Sequence, residues 1–183
     1  MNQDRPTAEE LIEFIDLKPL PVEGGLFRRN YLADEVIPPE ALPDRYQGIP
    51  HHYGSAIYAL MTDDPDSFSA MHTLPTDEIY HFYLGDPIEM LLLYPDGDSE
   101  IVILGQDVFH GMQVQFVVPA GVWQGFRLLG GGEYGLIGTT MAPGFEVSDY
   151  RGGDREALVE KHPSRREMIT ALTRPDEPLH RSY

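Results

Sequence analysis

The chain contains no cysteine. Disulfides and thiolate metal sites are therefore excluded, and the composition suits a reducing cytoplasm, the expected location. Basic residues are scarce: 13 Lys and Arg stand against 30 Asp and Glu, a formal net charge of −17. Nucleic acid and anionic membrane surfaces are accordingly not expected as partners. No apolar run is long enough to span a bilayer. The N-terminal residues lack a basic segment followed by an apolar stretch, so no secretory signal is expected. Internal repeats, low-complexity segments and composition breaks are also missing.

What is present fits one domain. The 183 residues are 42% hydrophobic, enough to fill a core. Thr7 and Glu10 have capping-box spacing, and Leu11, Ile12, Phe14 and Ile15 form an apolar helical face. Pro19 and Pro21 stop that helix near Leu17. Strands are expected over 26–32, 55–61, 68–73, 78–84, 87–94, 100–104, 114–118, 123–129 and 133–140, with Gly, Pro and Asp turns between them. The stretch 34–50 reads either as a lid or as a plain loop. Asp154 caps a helix to about Lys161, and Ser164 with Glu167 reads as a second capping box. The tail beyond Pro175 is expected to fray. The pattern is all-β, a barrel or sandwich.

One stretch concentrates reactive side chains. His72 and Glu78 flank a Leu-Pro-Thr-Asp turn, so they fall on consecutive strands that a hairpin can close over one pocket. Strand alternation puts Glu78, Tyr80 and Phe82 on one face and Ile79, His81 and Tyr83 on the other. If Glu78 points inward, His81 points outward unless a bulge intervenes. Arg28 and Arg29 also alternate, so only one enters a pocket. His51 and His52 border the proline-rich loop and, being adjacent, do not form a joint metal site. Trp123 and Phe82 are the candidate aromatic walls.

These residues resemble the cupin motifs. Glu78 and Gly85 have the required spacing, His72 stands at the first histidine, and Leu74 stands where the second belongs. Pro119, Gly121 and Gln124 match the second motif, with Gln124 replacing its histidine. More narrowly, the chain resembles the Cupin_5 family of unknown function. The resemblance rests on Glu23-Gly24-Gly25 before Arg28, on Ser55-Ala56-Ile57-Tyr58, on 72–87, on 117–125 and on Ala142-Pro143-Gly144-Phe145-Glu146. It departs at Met71 and Thr73, where the family has Trp and Arg.

The resemblance implies a double-stranded β-helix jelly roll, with its core over about 11–150 and a C-terminal helical extension over about 154–173. It also implies a homodimer and a pocket like that of sugar-nucleotide 3,5-epimerases. Two chemistries are open. His72, Glu78 and Gln124, with His81 as a fourth if it turns inward, could ligate one divalent metal ion. Alternatively, His72 and Glu78 form a metal-free acid/base pair, with Tyr58, Tyr80 or Tyr134 returning the proton. Arg28, Tyr58, Phe82, Trp123 and Gln124 are the candidate substrate contacts. The expected function is an epimerase or isomerase acting on a small carbonyl-bearing or sugar-like ligand. The alternatives are a metal-dependent oxygenase or lyase, and a non-catalytic ligand-binding or storage-like cupin. A polar barrel interior, in which His72 and Glu78 merely satisfy each other, is the bland reading of the pair.

Overall fold

A computed structural model describes residues 5–175 and residue 179. In chain order the elements are α1 (Ala8–Ile15), β1 (Lys18–Pro19), β2 (Leu26–Leu32), β3 (Val36–Ile37), β4 (His51–His52), β5 (Ser55–Thr62), β6 (Phe68–Thr73), β7 (Glu78–Gly85), β8 (Ile88–Leu93), β9 (Ser99–Leu104), β10 (Gln115–Val118), β11 (Trp123–Leu128), β12 (Tyr134–Met141), β13 (Arg151–Gly152), α2 (Arg155–Lys161) and α3 (Arg166–Ala171). One sheet runs β1-β2-β5-β12-β7-β10 and the other β13-β6-β11-β8-β9, every pairing antiparallel. The two sheets face each other as a jelly roll, as the turn spacing and the motifs imply.

Alternation explains what fills the space between them. Tyr80 and Phe82 of β7, Met90 and Leu92 of β8, and Phe126 of β11 meet in one buried cluster. The odd-numbered residues of β8, Leu91 and Leu93, point the other way and are equally buried. They pack under α2 and α3 with Leu158, Ile169 and Leu172. The Met90–Leu93 part of β8 therefore reads as a continuous apolar run because both its faces are covered.

Helix α1 covers part of the other sheet's outer face. Thr7 accepts from the Glu10 backbone N–H at 3.2 Å, and the Glu10 carboxylate accepts from Thr7 N–H at 2.8 Å. Such a cap stabilises a helix by about 1 kcal/mol. Leu11 and Leu17 then bury against Leu60 and Leu136. Arg5 clamps the segment before the helix, donating to both oxygens of Asp86 at 2.9 and 2.7 Å.

Two local expectations change. Asp154 caps α2 through the Ala157 N–H at 2.9 Å as expected, but Ser164 caps nothing. Pro163 opens a 3₁₀ turn over Pro163–Arg165 that runs straight into α3, so Ser164 lies inside the turn. The 34–50 stretch packs rather than hanging free: Tyr46 is buried, its hydroxyl 2.9 Å from Thr76 Oγ1, and Arg45 donates to the Pro75 carbonyl at 3.0 Å. Strand β2 also gains a short partner that the sequence did not show, β1, which pairs with Leu26 and Phe27. The expected frayed tail lies mostly outside the described residues.

Candidate functional site

A cavity of about 450 Å³ opens between the six-stranded sheet, the end of β6 and the 145–147 segment. Strand register decides which side chains reach it. Glu78 pairs with Met141, which pairs with Ser55. One inward step along, Tyr80 pairs with Thr139, Thr139 with Ile57, and Ile57 with Arg29. These rows face the other sheet, and all but Tyr80 line the cavity.

His72 enters from β6. The register of β6 against β11 shifts by one between Gln124–His72 and Phe126–Ser69. This bulge brings Ser69 and His72, three residues apart, onto one face. Gln124 lies directly opposite His72. The polar centre is thus assembled from three strands and is almost wholly buried: His72 and Gln124 are each 1% exposed and Glu78 6%.

Its hydrogen bonds orient each group. His72 Nδ1 lies 2.8 Å from the Ala70 carbonyl, which can only accept. Nδ1 therefore carries the proton and Nε2 offers a lone pair. Gln124 Nε2 donates to Glu78 Oε2 at 2.7 Å and lies 3.3 Å from His72 Nε2. Turning this amide would set its oxygen against the Glu78 oxygen, so the N–H orientation is the favourable one. Tyr80 OH also donates to Glu78 Oε2, at 3.1 Å. Burial pushes the Glu78 carboxyl above its ordinary range, the neighbouring His72 pulling the other way and Glu23 adding to the rise. Burial, first of all, raises the Tyr80 phenol well above its usual value, with the nearby Glu78 and Glu23 carboxyls adding to the rise.

A second carboxylate, not foreseen as a site residue, completes the centre. Glu23 Oε1 lies 4.0 Å from His72 Nε2 and accepts from Ser69 Oγ at 3.0 Å. It arrives on a tight turn: Gly24 and Gly25 both take positive φ, and a Cβ on Gly24 would collide with the Phe68 carbonyl. The Ala70 N–H closes the turn onto β6 by donating to the Glu23 carbonyl at 2.7 Å. The signal was a carboxylate immediately before a Gly-Gly pair, legible as a turn but silent on where the turn docks.

A family model described as Cupin superfamily (DUF985), Cupin_5, matches residues 9–152. The chain belongs to the Cupin_5 family. Its relatives include an uncharacterized protein of Saccharomyces cerevisiae, YML079W, 28% identical over 135 residues, 70% of this chain and 66% of that protein, just under two thirds of its length. Among solved structures it is similar to protein SO0799 of Shewanella oneidensis (TM-score 0.81, 27% identity, covering 94% of this chain and 100% of that one). It is also similar to a hypothetical protein of Leishmania major (TM-score 0.80, 26% identity, covering 92% and 99%).

Within this cupin, the residues singled out from the sequence divide. His72, Glu78 and Gln124 converge, although Gln124 sits behind the other two and does not line the cavity. His81 does not join them. Alternation holds over Glu78–Phe82, the β7 bulge coming only between Phe82 and Leu84, and His81 lies on the outer face, 3.3 Å from Thr140 Oγ1 and stacked on Tyr83. Tyr58 shares that outer face, packing edge-on against Tyr83. Trp123 precedes Gln124 and so points away from the cavity, its ring beneath the Arg151 guanidinium at 5.7 Å. Phe82 faces inward but too deep, within the main core. The walls instead come from Phe27, Ile57, Leu74 and Phe145. Of the two arginines, Arg29 holds the inward register, while Arg28 pairs with Tyr58 on the outer side and donates to the Ile15 carbonyl at 2.6 Å at the rim. Tyr134 is tied to the Pro6 carbonyl at 2.7 Å, and Tyr80 stands behind Glu78, so neither lines the cavity.

The donor set does not fit a divalent ion. Leu74 supplies no ligand, His81 faces away, and the Gln124 amide presents N–H groups where a cation would meet His72 and Glu78. The Gln124 oxygen is buried without a partner on the other side of that amide. Among the described residues no group of three or more His, Cys, Asp and Glu is arranged to hold a metal. No described helix is long and apolar enough to cross a membrane.

Proposed function

We propose that this cupin is a small-molecule enzyme of the epimerase or isomerase type, moving a proton beside a carbonyl without a metal. The observation that carries the reading is the meeting of His72 and Glu78 at one cavity wall, an imidazole whose Nδ1 is tied to the Ala70 carbonyl beside a carboxyl that burial pushes above its ordinary range. Base and acid of unlike protonation at one cavity wall are what enolisation needs. His72 Nε2 takes the α-proton while Glu78 gives its proton to the carbonyl oxygen; in an α-hydroxy carbonyl substrate, His72 then returns its proton to the former carbonyl carbon while the other enediol hydroxyl returns a proton to Glu78, completing the isomerisation. Gln124 and Tyr80 orient Glu78, and the Ala70 carbonyl holds the His72 tautomer.

Metal-assisted turnover, as an oxygenase or lyase, is the competing enzyme reading; a non-catalytic binding cupin is the third. Solvent exchange separates them. In D₂O the protein should catalyse deuterium incorporation α to the carbonyl of small ketones, undiminished by chelator. His72→Ala and Glu78→Gln should each lower the rate by about 10²–10⁴-fold. Full activity in His72→Ala, or strict dependence on an added ion, would overturn the metal-free reading.

The proposal includes a homodimer. The uncovered part of the six-stranded sheet exposes Tyr31, Tyr83 and Val117 at 55%, 41% and 46%, an apolar face of the kind that subunits bury. Sedimentation showing a monomer at all concentrations would refute it.

A further inference from the structure

The cavity has two chemically different ends. Its inner end holds His72 and Glu78; its walls are apolar, from Phe27, Ile57, Leu74 and Phe145. At the mouth stand charged groups, most of them already engaged. Asp16 pairs with Lys18 at 2.5 Å, Arg28 donates to Ile15, and the Glu146 carboxylate accepts from the Asp149 N–H. Arg29 differs. It holds the inward register through Ile57 and Thr139 and lines the cavity, yet no hydrogen bond or ion pair to it occurs among the described residues.

From this juxtaposition we infer that the substrate is an amphiphilic carbonyl acid: an anionic group held by Arg29 at the mouth, an apolar middle, and the carbonyl at His72 and Glu78. The inference rests on the acid/base reading for the inner end only. The register sets the length. Arg29 and Glu78 are three strands and one two-residue step apart, on the order of 16 Å between Cα atoms. Side chains stand roughly perpendicular to a sheet, so this Cα separation is an upper limit, which the long flexible Arg29 stem shortens by leaning along the wall. A guanidinium is the suited partner for a carboxylate or phosphate because it can donate two parallel bonds. The net charge of −17 opposes anion approach, but that field is screened beyond about 8 Å at physiological salt.

The test uses 5-oxohexanoate, whose carboxyl and keto carbons lie about 5 Å apart, against its uncharged methyl ester, with binding followed by titration calorimetry on the intact protein. Wild type should bind the acid at least about tenfold more tightly than the ester, a difference appropriate to a charged hydrogen-bonded pair. Arg29→Gln should erase that preference and leave ester binding unchanged; Arg28→Gln should keep it. Equal affinity for acid and ester, or a preference that survives Arg29→Gln, overturns the inference. Deuterium exchange on the same two compounds reports separately on proton transfer. Arg29-dependent acid binding without exchange keeps the substrate class and sinks the acid/base reading. Exchange on the ester that matches the acid does the reverse.

Discussion

Replacing Glu78 by Gln tests the protonation argument without any substrate. The amide has nearly the same shape, and its oxygen can accept the bonds from Gln124 and Tyr80 that now reach Glu78 Oε2 at 2.7 and 3.1 Å. The pH dependence of stability is what changes. Burial raises the folded-state carboxyl above its ordinary value of 4.5. Between those two values the unfolded chain has released the proton and the folded chain has kept it. Folding stability contributed by this group is therefore fully present below about pH 4.5 and lost as pH rises to the folded-state value. The slope within that window approaches −1.4 kcal/mol per pH unit for one proton. Glu78→Gln has no proton to lose. Urea unfolding of both proteins from pH 4 to 9 should show the wild-type curve falling relative to the variant, with the variant the more stable at the alkaline end. Parallel curves, or a wild type that gains on the variant with rising pH, would mean that Glu78 is ionised in the fold, and the assignment of acid and base would collapse.

The Arg5–Asp86 clamp has the opposite sign. Asp86 is held down to about 2 from 3.8, chiefly by its bond to Arg5, so its contribution is present above about pH 3.8 and fades as pH falls through 2. Its difference of nearly two units sets an upper bound of roughly 2 kcal/mol, less after solvent screening; Asp86→Asn should lose up to that amount at pH 7 in the same unfolding assay and much less at pH 2. His51 is buried, with Nδ1 2.8 Å from the Ile49 carbonyl and Nε2 3.0 Å from Asp149 Oδ1. His51→Leu strands a buried carboxylate and should cost about 3 kcal/mol, and adding Asp149→Asn should recover part of it; a double variant no better than the single would contradict the pairing. Leu74→His restores the second motif histidine on the cavity wall, so that variant should bind Co²⁺ with a visible absorption band that His72→Ala abolishes, whereas the natural chain should show none.

Much of the fold was legible because it rests on local chemistry. Turn residues at near-regular spacing marked the long strands to within about two residues, and the caps at Thr7 and Asp154 sit where their spacing placed them. The two-residue strands β1, β3, β4 and β13 were not legible, since only a partner across space makes them strands. Alternation on β7 sorted Glu78 from His81 correctly from sequence alone. The same rule, applied one residue before Gln124, would have removed Trp123 from the wall.

By itself, the sequence determined which residues could do chemistry here: His72, Glu78 and Gln124, with Leu74 where a further ligand would be needed. Those are matters of side-chain type and strand period, both written locally. The tertiary structure alone decided how they work. A bulge in β6 turned Ser69 inward beside His72, a Gly-Gly turn delivered Glu23, and strand pairing gave Arg29 rather than Arg28 the inward register. Burial then raised the Glu78 carboxyl above its ordinary range. Register and burial are properties of packed sheets, and no stretch of chain carries them alone.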